Sequence, residues 1–305
     1  MTQTIKIATR SSPLALWQAE HVAARLTAIH TDLVVKLVKI TTKADRFLNT
    51  TLDKIGGKGL FVKELEESLL SGETDLAVHS MKDVPMTFPA GLALTTILQR
   101  ANPHDAFVSI DYQHPDQLPA NSRLGTSSLR RKAQLAKHYP HLELVDLRGN
   151  VNTRLQKLQN GEFAAIILAM AGLERLQMTD HVQHTFTATE MLPAIGQGAI
   201  GIETRVDDQR VQNLLAPLAD TITTQCVLAE RAMNNQLHGG CHMPVAGFAT
   251  SKAYQLHLTG YVGTVNGQTS LQASAQGHTP EQVGQAVAQQ LIEQGAQAIL
   301  DQYRS

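Results

Sequence analysis

Aromatic side chains are scarce in this chain, at 4% of 305 residues with a single tryptophan. That argues against the stacking platforms that bind single-stranded nucleic acid. An excess of charge is missing too: the formal net charge is -1. No overall field draws polyanions, and any anion site must be built from local clusters of Arg and Lys. Cysteine is limited to Cys226 and Cys241, too few for a disulfide framework, which points to a reducing compartment. The longest apolar run, residues 164–171, is too short to span a bilayer. Residues 1–10 lack the apolar core of a signal peptide. These absences lead us to expect a cytoplasmic globular protein with neither membrane nor nucleic acid as partner.

Apolar residues make up 43% of the chain, enough for several cores, and its length suits two or three domains. Short apolar runs at 5–8, 34–40, 75–78 and 92–97 read as strands. Between them, helices are expected at 13–27, with Ser12 as N-cap and Pro13 in the first position, and at 60–71. In the second of these, Phe61, Leu65, Leu69 and Leu70 should share the buried face, with Lys63, Glu64, Glu66 and Glu67 largely elsewhere. A second set repeats the alternation: strands at 106–110, 124, 142–145 and 165–168, helices at 127–137 and 151–159. Residues 185–198 look like a crossing back, so that 200–203 rejoins the first sheet. The tail differs, with helices at 220–235 and 280–294 around three alternating segments near 245–249, 255–262 and 270–275. The fold class expected is α/β: two lobes with mostly parallel sheets, plus a small α+β C-terminal domain. The boundaries are 1–98 with 199–216, then 99–198, then 217–305.

Four constellations stand out. The first is Asp53-Lys54-Ile55-Gly56-Gly57-Lys58-Gly59-Leu60-Phe61. Its glycines allow close backbone approach, and its lysines ahead of a helix favour anions, although the spacing is not that of a Walker A loop. The second, His79-Ser80-Met81-Lys82-Asp83, follows a strand, where open α/β sheets bind ligands. There Ser80 and Lys82 could hold a carboxylate while Asp83 faces a cation; a surface Lys82–Asp83 pair is the plainer alternative. The third is basic. Gly125-Thr126-Ser127-Ser128 precedes a helix bearing Arg130 and Arg131, and Leu147-Arg148-Gly149-Asn150 opens the helix bearing Arg154. Arginine beside a helix N-terminus opposes the helix dipole, and an added anion relieves the conflict. The fourth, His238-Gly239-Gly240-Cys241-His242-Met243-Pro244, sets a cysteine on a tight turn. A zinc site of His238, Cys241 and His242 would fit no common spacing and lacks a fourth ligand, so no metal is expected.

Taken in order, these segments, with Ile7–Ala15, Ile166–Leu173 and Leu192–Ile202, cover nearly the whole chain. They resemble the hydroxymethylbilane synthase (porphobilinogen deaminase) family. The resemblance implies two periplasmic-binding-protein-like lobes, a third domain bearing the cysteine, and a monomer. It implies a transferase that joins four porphobilinogens, each losing ammonia, on a dipyrromethane cofactor attached to Cys241 through a thioether, and then releases the linear tetrapyrrole with water. Asp83 corresponds to the catalytic carboxylate. Ser80, Lys82, Asp83, Thr126, Ser128, Arg130, Arg131 and Gly149 correspond to groups around the cofactor. Arg10, Ser12, Arg148, Arg154, Met170, Gln197 and Gly198 correspond to groups that contact porphobilinogen or the growing polypyrrole. Lys54, Lys58 and Phe61 match a loop over the site. His242, Met243, Ala101 and His104 depart from the usual pattern without removing any of these groups.

The chemistry agrees with the residue types. Carboxylates about 6 Å apart repel by roughly 3 kcal/mol at an effective dielectric near 20, so a growing polypyrrole needs arginine partners. Loss of ammonia leaves an electron-poor azafulvenium, and a carboxylate about 4 Å away stabilises it by roughly 4 kcal/mol at that dielectric. A non-catalytic two-lobed anion receptor is the main competing reading.

Overall fold

The computed structural model describes residues 3–42, 62–240 and 242–304. Lys54, Lys58, Phe61 and Cys241 lie outside the described residues. Strands and helices alternate from the start: β1 (Gln3–Arg10), α1 (Pro13–Ile29), β2 (Leu33–Ile40), α2 (Lys63–Leu70), β3 (Leu76–Ser80) and β4 (Leu92–Ile97). Next come β5 (Asp105–Ser109), β6 (Arg123–Gly125), α3 (Leu129–His138), β7 (Glu143–Val145), α4 (Val151–Gln159), β8 (Ala165–Ala169), α5 (Met170–Arg175) and β9 (Val182–Thr185). β10 (Ile200–Arg205), α6 (Gln209–Leu215) and α7 (Thr221–Gln236) follow. The last elements are β11 (Val245–Lys252), β12 (Gln255–Gly263), β13 (Ser270–Gly277), α8 (Pro280–Glu293) and α9 (Ala296–Leu300). The chain divides into two compact units, Met1–Arg100 with Ala199–Thr224, and Ala101–Gly198 with Gln225–Ser305.

The first unit is built on one sheet, in the order β2-β1-β3-β10-β4. β1 pairs in parallel with β2 and β3, whereas the returning β10 runs antiparallel to β3 and β4. Both faces of β1 are covered around its apolar residues Ile5, Ile7 and Ala8. Ile5 and Ile7 pack with Ala19, Val22 and Leu26 of α1, and Ala8 packs with Leu65 and Leu69 of α2 on the other side. Helix α1 starts where its capping chemistry dictates: the Ala15 N–H donates to Ser12 Oγ (3.4 Å), and Pro13 takes the first turn.

Helix α2 corrects the expected face. Leu65 and Leu69 are buried, but Leu70 is 50% exposed and Glu66 is buried. At about 100° per residue, positions 62, 65, 66 and 69 form one stripe and position 70 falls off its edge. Glu66 is therefore carried inward with Leu65. Near it, His79 Nε2 lies 2.9 Å from Glu203 Oε2. Burial, and then the neighbouring Glu203, push the Glu66 carboxyl up to about 7, although His79 pulls the other way.

The second unit holds two sheets. The first, β7-β6-β8-β5-β9, has parallel β6–β7 and β6–β8 pairs and antiparallel β5–β8 and β5–β9 pairs. Alternate residues of its central strands go to opposite faces. Phe107, Leu124 and Ile167 join Leu135 of α3, while Val108, Ile166 and Leu168 join Leu158 of α4. The other sheet is the antiparallel meander β11-β12-β13. It packs on Met233 and Leu237 from α7 and its following turn, and on Val283, Val287 and Leu291 of α8. The buried Cys226 belongs to the same core. The mixed α/β class is as expected. The short elements β9, α5 and α6 are additions, each too brief for its periodicity to be distinctive. Among the described residues no helix is long and apolar enough to cross a membrane.

The Glu66 environment has a pH consequence. A carboxyl raised above its ordinary value binds its proton more tightly in the folded state, so stability falls as pH rises from about 4.5 towards 7. Glu66→Gln should therefore melt higher than the parent protein at pH 8, and the advantage should shrink towards zero at pH 5. Melting curves of both proteins across that range check the sign.

Candidate active site

In the first unit, the site residues named from sequence collect at one edge of the sheet. β1 and β3 are parallel neighbours, so Arg10, which ends β1, and Ser80, which ends β3, lie at the same carboxyl edge. Ser12 Oγ caps α1, which holds the hydroxyl at the start of that helix. Ser80 Oγ accepts from Gln18 Nε2 (2.8 Å), which fixes its orientation. A single 3-10 turn, Met81–Asp83, follows at once. Its buried Met81 side chain and the bond from the Met81 N–H to Ala199 O (3.0 Å) hold the turn on the sheet, while Asp83 is exposed. The carboxylate is thus presented by a rigid backbone rather than by a long loop.

In the second unit the same logic is repeated. Thr126 follows β6 and Met170 follows β8, the two being parallel neighbours. β5 runs the other way, so its first residue, Asp105, lies at that edge as well, opposite Ala169. Ser128 caps α3, accepting from the Arg131 N–H (3.4 Å), and Thr126 Oγ1 accepts from the Ser128 N–H (3.3 Å). Gly149 has φ +114°, a left-handed conformation that favours glycine, and a Cβ there would meet Thr153 at 2.8 Å. Asn150 caps α4, and Arg154 Nε donates to Gly149 O (2.7 Å), so the turn and its arginine are locked together. Arg148 Nη2 lies 3.8 Å from Asp146.

Arg130 and Arg131 are not solvated. They are 4% and 6% exposed, and both engage the wholly buried Asp105. Arg131 donates through Nε and Nη2 to Asp105 Oδ1 (3.0 and 2.8 Å) and through Nη1 to Ile167 O (2.8 Å). Arg130 Nη1 lies 2.7 Å from Asp105 Oδ2 and donates to Leu192 O (2.7 Å). Gln197 Nε2 donates to the same carboxylate (3.0 Å) and to Pro103 O (2.7 Å). Burial alone would raise the Asp105 carboxyl, but the two guanidiniums and the bonds from Arg130 and Gln197 hold it far below the usual carboxylate range. Burial also depresses Arg131. Gly198, at φ +87°, leaves no room for a side chain, since a Cβ would lie 2.6 Å from Ala101 O. Its own carbonyl accepts from Arg175 Nη2 (2.7 Å), whose guanidinium burial lowers to about 10.

Asp105 and Arg175 were not singled out from sequence. The available signal for Asp105 was an acidic residue opening an otherwise apolar strand, Asp105-Ala106-Phe107-Val108. The cluster of Asp105 with two arginines carries one surplus positive charge, and Gln197 Oε1 is buried with no hydrogen-bond partner among the described residues. A ligand bearing carboxylates and N–H groups suits both features. At the end of α7, His238 takes a left-handed φ of 50° and the Gly239 N–H bonds back to Asn234 O (2.9 Å), which leads the chain into the cysteine turn.

Strand-end hydroxyls, helix N-termini and guanidiniums arranged on α/β sheets are groups suited to carboxylate-bearing ligands. Comparison with known proteins narrows the class. Residues 5–213 match the family described as "Porphobilinogen deaminase, dipyromethane cofactor binding domain", and residues 224–293 match "Porphobilinogen deaminase, C-terminal domain". The chain belongs to the porphobilinogen deaminase family. It is 51% identical to a porphobilinogen deaminase of Acidithiobacillus ferrooxidans over 305 residues, 100% of each chain. It is 53% identical to one from Vesicomyosocius okutanii over 302 residues, 98% of this chain and 99% of that one. Among solved structures, the methionine-binding protein MetQ is similar at a TM-score of 0.47 and 13% identity, covering 73% of this chain and 92% of that one.

The buried ion cluster makes a direct prediction. Asp105→Asn leaves two buried guanidiniums without a counter-charge and should cost about 3–5 kcal/mol of stability. Chemical denaturation of the parent and the variant measures the difference, and a loss below about 1 kcal/mol would remove Asp105 from the role assigned to it.

Proposed function

We propose that this chain is a hydroxymethylbilane synthase, a transferase of tetrapyrrole biosynthesis that joins four porphobilinogens head to tail with loss of ammonia. The observation that carries the reading is the end-to-end match to porphobilinogen deaminases at 51% identity, together with the cofactor-binding-domain match over residues 5–213. A purely anion-binding protein is not favoured by that match. The dipyrromethane cofactor supplies a two-ring primer whose free end accepts substrate. In our reading Cys241 carries it through a thioether, and Ser80, Lys82, Thr126, Ser128, Arg130, Arg131 and Gly149 hold it. The surplus positive charge around Asp105 supports this assignment, because a carboxylate-bearing group completes the charge balance there.

Asp83 performs the proton chemistry and the charge stabilisation. Its exposed carboxyl group, on the turn after β3, can hand a proton to the departing amine when it carries one, face as carboxylate the cation that remains on the substrate, and take up the proton lost after ring coupling, which restores the acid. Arg10, Ser12, Arg148, Arg154, Met170, Gln197 and Gly198 orient the substrate, and Lys54, Lys58 and Phe61 complete the substrate-binding set. The three sheets support a functional division into residues 1–98 with 199–216, 99–198 and 217–305. We place the enzyme in the cytoplasm as a monomer acting on a small-molecule substrate.

Two sets of variants test this reading. Asp83→Asn removes about 4 kcal/mol of charge stabilisation and should slow turnover roughly a thousandfold. Asp83→Glu keeps the charge one methylene away and should be slow but clearly active. Single-turnover rates on cofactor-loaded protein read both, and a loaded, stable Asn variant coupling rings at the parent rate excludes Asp83 from the chemistry. By intact mass, the parent protein and Cys226→Ala should each carry one dipyrromethane, and Cys241→Ala should carry none. A fully active, unmodified Cys241→Ala protein ends the covalent-primer assignment.

A further inference from the structure

Away from the residues assigned to the reaction, three side chains from distant parts of the second unit meet: His114, His184 and Glu190. Each offers one ligand atom, and these atoms lie within 4.8 Å of one another. His114 follows β5 and begins the turn Pro115–Gln117, His184 sits on the edge strand β9 opposite Phe107, and Glu190 lies in the turn after that strand. The two imidazoles meet edge to face with centroids 4.7 Å apart, and Phe186 packs against His184 at 5.1 Å. All three ligand residues are partly buried.

One oxygen of Glu190 and one nitrogen of His114 are already engaged by neighbouring groups. Glu190 Oε2 accepts from both the N–H and the hydroxyl of Thr187 (2.7 Å each), and the Glu190 N–H returns a bond to Thr187 Oγ1 (3.4 Å), the reciprocal pattern of a capping box. That leaves Glu190 Oε1, which lies 3.0 Å from His184 Nε2. His114 Nδ1 faces Asp116: as an acceptor it takes the Asp116 N–H (3.3 Å), and in the Nδ1–H tautomer that leaves Nε2 to bind a metal it donates to the Asp116 carboxylate (3.0 Å) instead. A histidine whose second nitrogen is held by a carboxylate is the usual outer support of a metal ligand.

We propose that His114, His184 and Glu190 form a binding site for a divalent transition cation of the zinc type. Two imidazoles and one carboxylate match the donor set of three-ligand zinc sites, and the fourth position falls to water. Nitrogen donors disfavour calcium and magnesium, which take oxygen ligands. Zinc bonds of about 2.0–2.2 Å in tetrahedral geometry need ligand atoms roughly 3.4 Å apart. His184 and Glu190 already meet that condition, and side-chain torsions of the partly buried residues supply the remaining closure. The ion would tie the loop after β5 to the edge strand and its turn, a structural clamp separate from the ring-joining chemistry.

The test uses the cofactor-loaded protein, so that Cys241 is not available as a competing thiolate, stripped with a chelator and titrated calorimetrically with zinc chloride. The parent protein should take up one zinc ion. His184→Gln and His114→Gln should each weaken that binding roughly tenfold or more and leave turnover unchanged, while His238→Gln should bind as the parent does. His114, on a loop, keeps the test decisive if the β9 substitution impairs folding. No saturable uptake by the parent at micromolar zinc, parent-like affinity in a folded His variant, or loss of binding in His238→Gln overturns the proposal.

Discussion

Asp105 lies with no solvent exposure between the guanidiniums of Arg130 and Arg131, and much of the second unit is arranged around that contact. A carboxylate taken out of water costs several kcal/mol, and only close opposite charge with further hydrogen bonds offsets it. The offset here comes from β5, α3 and the segment around Gln197, so these three pieces are held to one another by electrostatics as well as by packing. Glu230 plays a parallel part. Its two oxygens accept from the Gly196 N–H (2.7 Å) and the Ala249 N–H (2.9 Å), joining α7 to the same segment and to β11.

The first unit uses carboxylates differently. Asp83 is left in solvent contact on a short 3-10 turn. Glu66 and Glu203 are buried beside His79, and burial first, then repulsion from Glu203, raises Glu66. A buried carboxyl without a cation drifts towards neutrality, whereas one between two guanidiniums stays ionised.

Both α/β sheets place their functional groups at the carboxyl ends of parallel strands, where backbone N–H groups at helix starts point outward. The capping residues Ser12, Ser128 and Asn150 fix those starts. This division of labour explains why arginines can sit beside helix N-termini: Asp105 supplies counter-charge for two of them, and Arg154 is tied to the Gly149 carbonyl.

Local information carried a good part of this protein. Ser12-Pro13 and Asn150 marked helix starts, alternating residues marked the C-terminal meander, and the ordered motifs from Ile7 to Pro244 marked the family, because caps, periodicity and motifs depend on residues close in sequence. Tertiary structure decided the rest. Nothing next to Arg130 and Arg131 in the sequence marks Asp105 as their partner; β5 brings it beside them, 26 residues from Arg131. Glu66 read as solvated until the sheet set which stripe of α2 was covered. His114 and His184 carried no motif at all, because their partners are set by strand pairing between segments far apart in the chain. A side chain's partner, and with it its charge state, is a property of packing rather than of sequence neighbourhood, which is why those assignments waited for the fold.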